Sequence, residues 1–186
     1  MTECWNSGPE TQYSSTPSTQ VVPAMRHSSL VSLSHDHHHG LALALRCRKQ
    51  ALGQLKPMGA AGLRERAKEF ADFYRINLIA HFRAEEEILF PLMRAAMPDS
   101  APLIDELLGQ HEQLRQAVPQ LEAGSGLAKL IFDLGDLLER HIRKEEREIF
   151  PLFEAHIDAP QAEMIGEELK KILDQGSGKK MKDDVD

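Results

Sequence analysis

The chain has 186 residues with 41% apolar and 5% aromatic content and a formal charge of −7, which suits a single domain of packed helices with a real hydrophobic core. The acidic balance disfavours nucleic acid as a partner, and no apolar run is long enough to span a membrane. Cys4 and Cys47 are lone thiols that make neither a disulfide framework nor a zinc knuckle, and no secretory signal is evident, so we expect a cytoplasmic protein.

The first part of the chain predicts a leader followed by one helix. Residues 1–27 are rich in Ser, Thr, Pro and Gln and show no periodicity, which is typical of a disordered segment. Ser28 or Ser29 is expected to cap the first helix, which should end before Lys56 and Pro57. The apolar stripe of this helix comprises Leu30, Leu33, His37, Leu41, Ala44, Leu52 and Leu55. A histidine therefore occupies a position that faces the core.

The second predicted helix covers residues 60–90 and carries a histidine and a glutamate, His81 and Glu85, on its apolar stripe. Pro91 lacks a backbone donor, so the helix should kink there or restart as the short segment 92–97. Both polar side chains are directed toward the core.

The third predicted helix begins near Asp99 or Ser100 and ends at residues 124–126. Its stripe places His111 among apolar residues that recur at intervals of three and four. Pro119 should bend or fray the last turns. A third helix thus presents a histidine to the core.

The fourth predicted helix runs from Leu127 to about Phe150 and carries His141 and Glu145 on its apolar stripe. A shorter amphipathic helix should follow at 161–174. Together the elements predict an all-α fold, an up-down-up-down four-helix bundle with a short extra C-terminal helix. We expect the bundle to span 28–175 and the charged end, 176–186, to form a flexible tail.

Two segments of twelve residues, 81–92 and 141–152, repeat one pattern. In both, the first residue is His, Arg follows two residues later, two glutamates follow four and five residues later, and Phe-Pro-Leu ends the segment, which indicates a duplicated unit. A His and a Glu four residues apart lie on one side of a helix and suit a single ion. The other glutamates of the segments are interpreted as a solvated face: Glu86, Glu87, Glu146 and Glu148.

Each main helix therefore places a ligand-type side chain on its core-facing stripe. Burying such groups unpaired costs several kcal/mol each, so they should pair with one another or bind a metal. The predicted ligands are His37 or a neighbour, His81, Glu85, His111, His141 and Glu145. This set exceeds the needs of one tetrahedral zinc and suits two iron ions, or manganese, with bridging carboxylates and an oxo or hydroxo bridge. About two of twelve coordination positions then stay open for small ligands.

The spacing His-x-x-x-Glu, followed by a second Glu and then Phe-Pro, resembles the hemerythrin-like, or HHE cation-binding, family over about residues 30–155. Ferritin-like di-iron bundles use Glu-x-x-His units instead, whereas leucines stand three residues before His81, His111 and His141. The resemblance implies that Glu145 is a bridging carboxylate like Glu85. Glu146 replaces it if the acid lies five residues after the histidine.

In the first helix the resemblance favours His37, which follows Leu33 by four residues. His38 is the second candidate because it lies near the stripe through Leu41 and Leu45, and His35 is the third. Taken alone, this histidine run is equally consistent with a solvated helix start that binds metals loosely.

Oxygen-carrying members of the family have a further histidine four residues after the position of His111, where this chain has Arg115. The resemblance therefore favours members that sense iron or oxygen, handle nitric oxide or repair iron centres over reversible oxygen carriers. The leading hypothesis is a di-iron protein that binds O2 or NO at an open position for sensing, storage or detoxification. The alternatives are a di-iron oxidoreductase that acts on peroxide or NO or donates iron for repair, and a metal-free helical interaction module.

Overall fold

The structure, a computed structural model, describes residues 26–177, and within them every regular element is helical. We number the helices α1 (Val31–Ala51), α2 (59–96), α3 (Ala101–Ala117), α4 (127–156) and α5 (Ala159–Ser177). The first four form the bundle and α5 is the additional helix, so the predicted all-α fold is confirmed. The predicted leader and tail lie almost wholly outside the described residues. Every helix in 26–177 is too short or too polar to cross a membrane.

The start and the end of α1 both differ from the prediction. A 3-10 turn precedes the helix, and its capping side chain is His27, whose Nδ1 accepts a hydrogen bond from the Ser29 amide at 3.3 Å. Neither of the two expected serines fills that role. The helix ends before Leu52 and Leu55 because Gly53 adopts a left-handed φ of 68°, a conformation that glycine adopts without steric cost. Leu52, predicted to face the core, is 62% exposed.

Helix α2 continues through Pro91, where a kink or restart was predicted, and α4 continues through Pro151, although it was predicted to end at about Phe150. The segments of α2 are Gly59–Phe73, a π turn at Tyr74–Leu78, Ile79–Ala84, a π turn at Glu85–Leu89 and Phe90–Ala96. Those of α4 are Leu127–Lys144, a π turn at Glu145–Ile149 and Phe150–His156. In both helices a π turn begins at the predicted ligand glutamate and ends one residue before Phe-Pro. The wider turn relieves the contact between the proline ring and the preceding turn, so the helix does not break.

The buried apolar side chains form two clusters, one on each side of the predicted ligands. On α1, His37 lies between Leu33 of one cluster and Leu43 of the other. The ligand-type residues on α2, α3 and α4 occupy the same level of the bundle. A polar layer therefore interrupts an otherwise apolar core, and a buried layer of this kind must be satisfied internally.

Cys47 is fully buried where α1 packs against α4. A Cβ added at Gly135 of α4 would lie 2.9 Å from the Cys47 Cβ, which shows how closely the two helices approach. Burial raises the pKa of the Cys47 thiol to about 12, so the thiol stays protonated at neutral pH and reacts poorly.

We expect the native protein to protect Cys47 from N-ethylmaleimide and the denatured protein to expose it. Peptide mass spectrometry after timed labelling measures Cys47 separately from Cys4. Labelling of Cys47 in the native protein at the rate of a free thiol would contradict the close packing of α1 against α4.

Candidate metal centre

Six of the predicted ligands lie together in the middle of the bundle, each at most 2% exposed. They form two groups of potential ligands: His37, His81, Glu85 and Glu145; and Glu85, His111, His141 and Glu145. Within each group the ligand atoms lie within 4.8 Å of one another. Both glutamates belong to both groups, which is the arrangement that two carboxylate-bridged ions require.

The four imidazoles turn their Nε2 atoms inward. The Nε2 atoms of His37 and His81 are 3.0 Å apart, and those of His111 and His141 are 3.2 Å apart. The nearest oxygens of the two shared glutamates lie 3.1 to 3.4 Å from these nitrogens. Nitrogen and oxygen atoms from four helices thus converge on one small volume.

Glu146 was predicted to face solvent, and that prediction is wrong. Its Oε1 accepts a hydrogen bond from His37 Nδ1 at 2.8 Å and another from the Ser34 hydroxyl at 2.7 Å. Arg26 donates to Oε2 at 2.6 Å. Burial raises the pKa of Glu146, but the hydrogen bonds from His37 and Ser34 outweigh it and lower the pKa to about 2. Glu146 is therefore an ionised acceptor that orients His37.

Glu86 plays the same part in the other half of the centre and was also wrongly assigned to the solvated face. It accepts from His111 Nδ1 at 2.7 Å and from Arg115 at 2.7 and 2.8 Å. Burial raises the pKa of Glu86, but these two partners lower it below its usual value. Arg115 has no lone pair to offer a metal, and its guanidinium is turned to Glu86.

The remaining two histidines have outer acceptors that the sequence analysis missed. His81 Nδ1 lies 3.3 Å from Asp36 Oδ2, and His141 Nδ1 lies 3.1 Å from Gln110 Oε1. The Gln110 amide nitrogen donates to Glu106 at 3.1 Å, which turns the amide oxygen toward His141. One signal was available: every outer acceptor is the immediate neighbour in sequence of a predicted ligand.

The four outer hydrogen bonds run around the bundle in one direction. The histidine of α1 bonds to α4, that of α4 to α3, that of α3 to α2 and that of α2 back to α1. We call this closed circuit the outer belt. In this circuit the acceptor that holds each imidazole lies on a different helix from the histidine itself.

The outer belt determines which nitrogen of each histidine carries the proton. Carboxylate and amide oxygens accept hydrogen bonds only, so each Nδ1 must donate and each neutral imidazole presents a lone pair at Nε2. All four carboxylate oxygens of Glu85 and Glu145 are buried without a hydrogen-bond partner. With neutral imidazoles and ionised glutamates, four nitrogen lone pairs and four carboxylate oxygens converge with no donor among them. A cation satisfies all of them at once, so the residues fit a metal site.

Protons compete with a cation for these atoms. Burial lowers the pKa of His81, but the charge of Glu85 and the hydrogen bond to Asp36 raise it to about 9. Burial and the Glu85 charge hold the pKa of Glu145 well above its usual range. Burial also opposes ionisation of Glu85, yet His81 and His111 hold its pKa well below its usual range. Cation binding at neutral pH is therefore expected to release protons.

Phenylalanine rings enclose the centre. Phe82 stacks on His111 with ring centroids 3.8 Å apart and an interplanar angle of 20°. Phe150 stacks on His37 at 5.2 Å and 13°. These rings fix the imidazole planes and keep water away from the inward nitrogens.

The structure separates the first-helix candidates that the sequence left open. His37 lies in the cluster, whereas His38 and His35 are exposed and belong to neither group. One residue along a helix rotates the side chain by about 100°, which turns His38 away from the core. Of the two candidate acids in α4, Glu145 lies in the cluster and Glu146 outside it. That the six clustered side chains bind metal stays a prediction.

Most of the chain matches a cation-binding family. The model of the hemerythrin HHE cation binding domain matches residues 28–153. A DNA nickase of Nostoc sp. (strain PCC 7120 / SAG 25.82 / UTEX 2576) is 29% identical over 105 residues, which is 54% of this chain. The chain spans only 29% of the length of that relative. No solved structure matches the chain significantly.

Proposed function

Because the chain belongs to the hemerythrin HHE cation-binding family, we propose that it is a non-haem di-iron protein that binds O2 or NO at an open iron position. Such binding serves sensing, storage or detoxification. The observation that carries the proposal is the pair of buried glutamates shared by two histidine pairs, with all four carboxylate oxygens buried and without a hydrogen-bond partner.

Each ion would be held by one pair of histidines and by both glutamates. The residues are His37 with His81 for one ion, His111 with His141 for the other, and Glu85 with Glu145 for both. These residues then fill about four of the six coordination positions of each octahedral iron, which leaves room for a small ligand. Iron in this ligand set supplies redox change and affinity for diatomic molecules.

The surroundings of the centre favour a small uncharged ligand. The six clustered side chains are at most 2% exposed, and the stacked rings of Phe82 and Phe150 cover two of the imidazoles. The surface cavity of about 300 Å³ beside Asp36 and that of about 390 Å³ beside Gln110 reach the outer belt but are lined by none of the six. A diatomic molecule needs neither a large cavity nor a hydrogen-bonding site.

The outer belt has a chemical role in this proposal. Glu86 and Glu146 accept from Nδ1 and so leave the inward nitrogens of His111 and His37 with lone pairs directed at the centre. Their negative charge favours the higher charge state of a bound ion. Arg26 and Arg115 hold the two carboxylates in place.

The test compares His37→Ala with His38→Ala in protein purified from iron-supplied cells. Wild type and His38→Ala are expected to hold about two irons per chain, as the two ligand groups require, and to change their absorption spectrum on addition of O2 or NO to the reduced protein. His37→Ala should lose iron and the spectral response. Iron-free wild type, or loss in His38→Ala instead, would contradict the proposal.

A second candidate function is turnover of peroxide or NO, or donation of iron for repair of iron centres. It is favoured by Arg115, which lies four residues after His111 on the same helix and provides no metal-ligand atom to the centre. Catalytic consumption of peroxide or NO in the presence of a reductant, measured over many turnovers, distinguishes it from stoichiometric binding. The match to the Nostoc DNA nickase covers 29% of that protein, which is too little to carry its activity to this chain.

A further inference from the structure

Helix α1 carries an exposed histidine pair that the di-iron centre does not use. His35 and His39 are four residues apart on the outer side of α1, and both are exposed. Their Nε2 atoms are 3.4 Å apart, and their rings meet edge to face with centroids 4.6 Å apart and an interplanar angle of 73°. Both nitrogens thus point to the same spot on the surface.

This spacing matches two nitrogen ligands of one metal ion. Zinc binds imidazole nitrogen at about 2.0–2.1 Å with tetrahedral angles, which puts two such nitrogens about 3.3–3.4 Å apart. A direct hydrogen bond between the two Nε2 atoms at 3.4 Å would be long. From this geometry we infer that His35 and His39 form a second, peripheral site for one divalent transition-metal ion, with Zn²⁺ as its simplest occupant.

The peripheral site differs in chemistry from the buried centre. Among residues 26–177 it offers two imidazoles and no carboxylate grouped with them, which suits Zn²⁺, Ni²⁺ or Cu²⁺ rather than Mg²⁺ or Ca²⁺. Its remaining positions face water, so ions exchange freely with solution. His38 is exposed on the same helix but its ring centroid lies 6.0 Å from that of His39, and it takes no part in the short nitrogen contact.

The site adjoins the outer belt without belonging to it. His35 and Asp36 line one surface cavity of about 300 Å³, but the Asp36 carboxylate is turned to His81 Nδ1 at 3.3 Å. The carboxylate is therefore engaged with the buried centre, and the peripheral ion is held by the two histidines. Its occupancy does not depend on iron in the centre.

Calorimetric titration of the full-length protein with Zn²⁺ tests the inference. His35→Ala and His39→Ala should each weaken one zinc equivalent at least tenfold relative to wild type, while His38→Ala keeps it. Because these side chains are exposed, none of the three substitutions threatens folding. The same contrast should persist in the His81→Ala/His141→Ala background, which removes zinc binding by the buried centre.

Two results would overturn the inference. If His38→Ala weakens the zinc equivalent as much as His35→Ala does, the histidine run binds metal loosely and forms no defined site. If none of the three substitutions changes the titration, the pair binds no ion. Since the readout is zinc at the surface, either failure leaves the di-iron proposal to be judged by its own test.

Discussion

Glu145→Gln is expected to reduce the metal content from about two ions per chain to one or fewer and to weaken the remaining binding by more than about 100-fold, beyond what loss of an outer partner costs. Glu145 belongs to both ligand groups, so its loss affects both ions. An amide keeps the shape of the side chain but replaces a negative oxygen with a donor that points at the cation. Metal analysis together with a competition titration against a chelator measures both effects.

Glu146→Gln is the matched control for this prediction. It changes the next residue in the same π turn and removes the same charge, but from the outer belt. We expect about two ions per chain, with affinity reduced by about 10- to 100-fold, as is typical when a partner of a ligating histidine is lost. If Glu146→Gln empties the centre while Glu145→Gln does not, the ligand is the acid five residues after the histidine, and the placement of Glu145 in the centre is wrong.

Iron-loaded protein is expected to melt roughly 10–20 °C above chelator-treated protein. An ion present at about 100 times its dissociation constant stabilises the native state by about 2.7 kcal/mol, so two ions supply about 5 kcal/mol. For a protein of this size each kcal/mol raises Tm by about 2–4 °C. Thermal unfolding followed by circular dichroism, at fixed metal and protein concentrations, gives the difference directly.

The control for the thermal prediction is His81→Ala/His141→Ala, which removes one imidazole from each ligand group. Added iron should leave its Tm nearly unchanged, whereas His38→Ala should respond like wild type. Equal Tm values for iron-loaded and metal-free wild type would show that metal does not stabilise the fold. The chain would then be better described as a helical interaction module.

The six clustered side chains were predictable because each lies on an apolar stripe with a simple period. His81 with Glu85 and His141 with Glu145 recur at one spacing, and helical geometry alone puts each pair on one side. The choice between His37 and His38 was not predictable from the stripe, since both lie near it. Packing decided it by burying one and exposing the other.

The outer belt escaped prediction because its bonds join different helices. Glu146 acts on a histidine 109 residues away and Glu86 on one 25 residues away. On its own helix each residue lies beside the core-facing stripe, a position that is normally predicted to be exposed to solvent. Only the relative rotation of the four helices turns that edge into an acceptor for a neighbouring imidazole.

The passage of α2 through Pro91 was missed for a related reason. Sequence rules for proline assume the α-helical repeat, in which the ring collides with the preceding turn. The π turn that begins at Glu85 has a different repeat. In both α2 and α4, Phe-Pro follows directly after a π turn. From the sequence alone, this pattern could not be distinguished from the end of a helix.

The closed circuit of outer hydrogen bonds also bears on how the bundle is aligned. Leucine stripes tolerate a shift of one helix along its neighbours by a full turn, about 5.4 Å, because a similar apolar face is presented again. Such a shift of α1 would break the bonds of both His37 and Asp36 at once. The polar layer thereby penalises every out-of-step assembly of the four helices, and we expect it to select a single longitudinal alignment before any ion is bound.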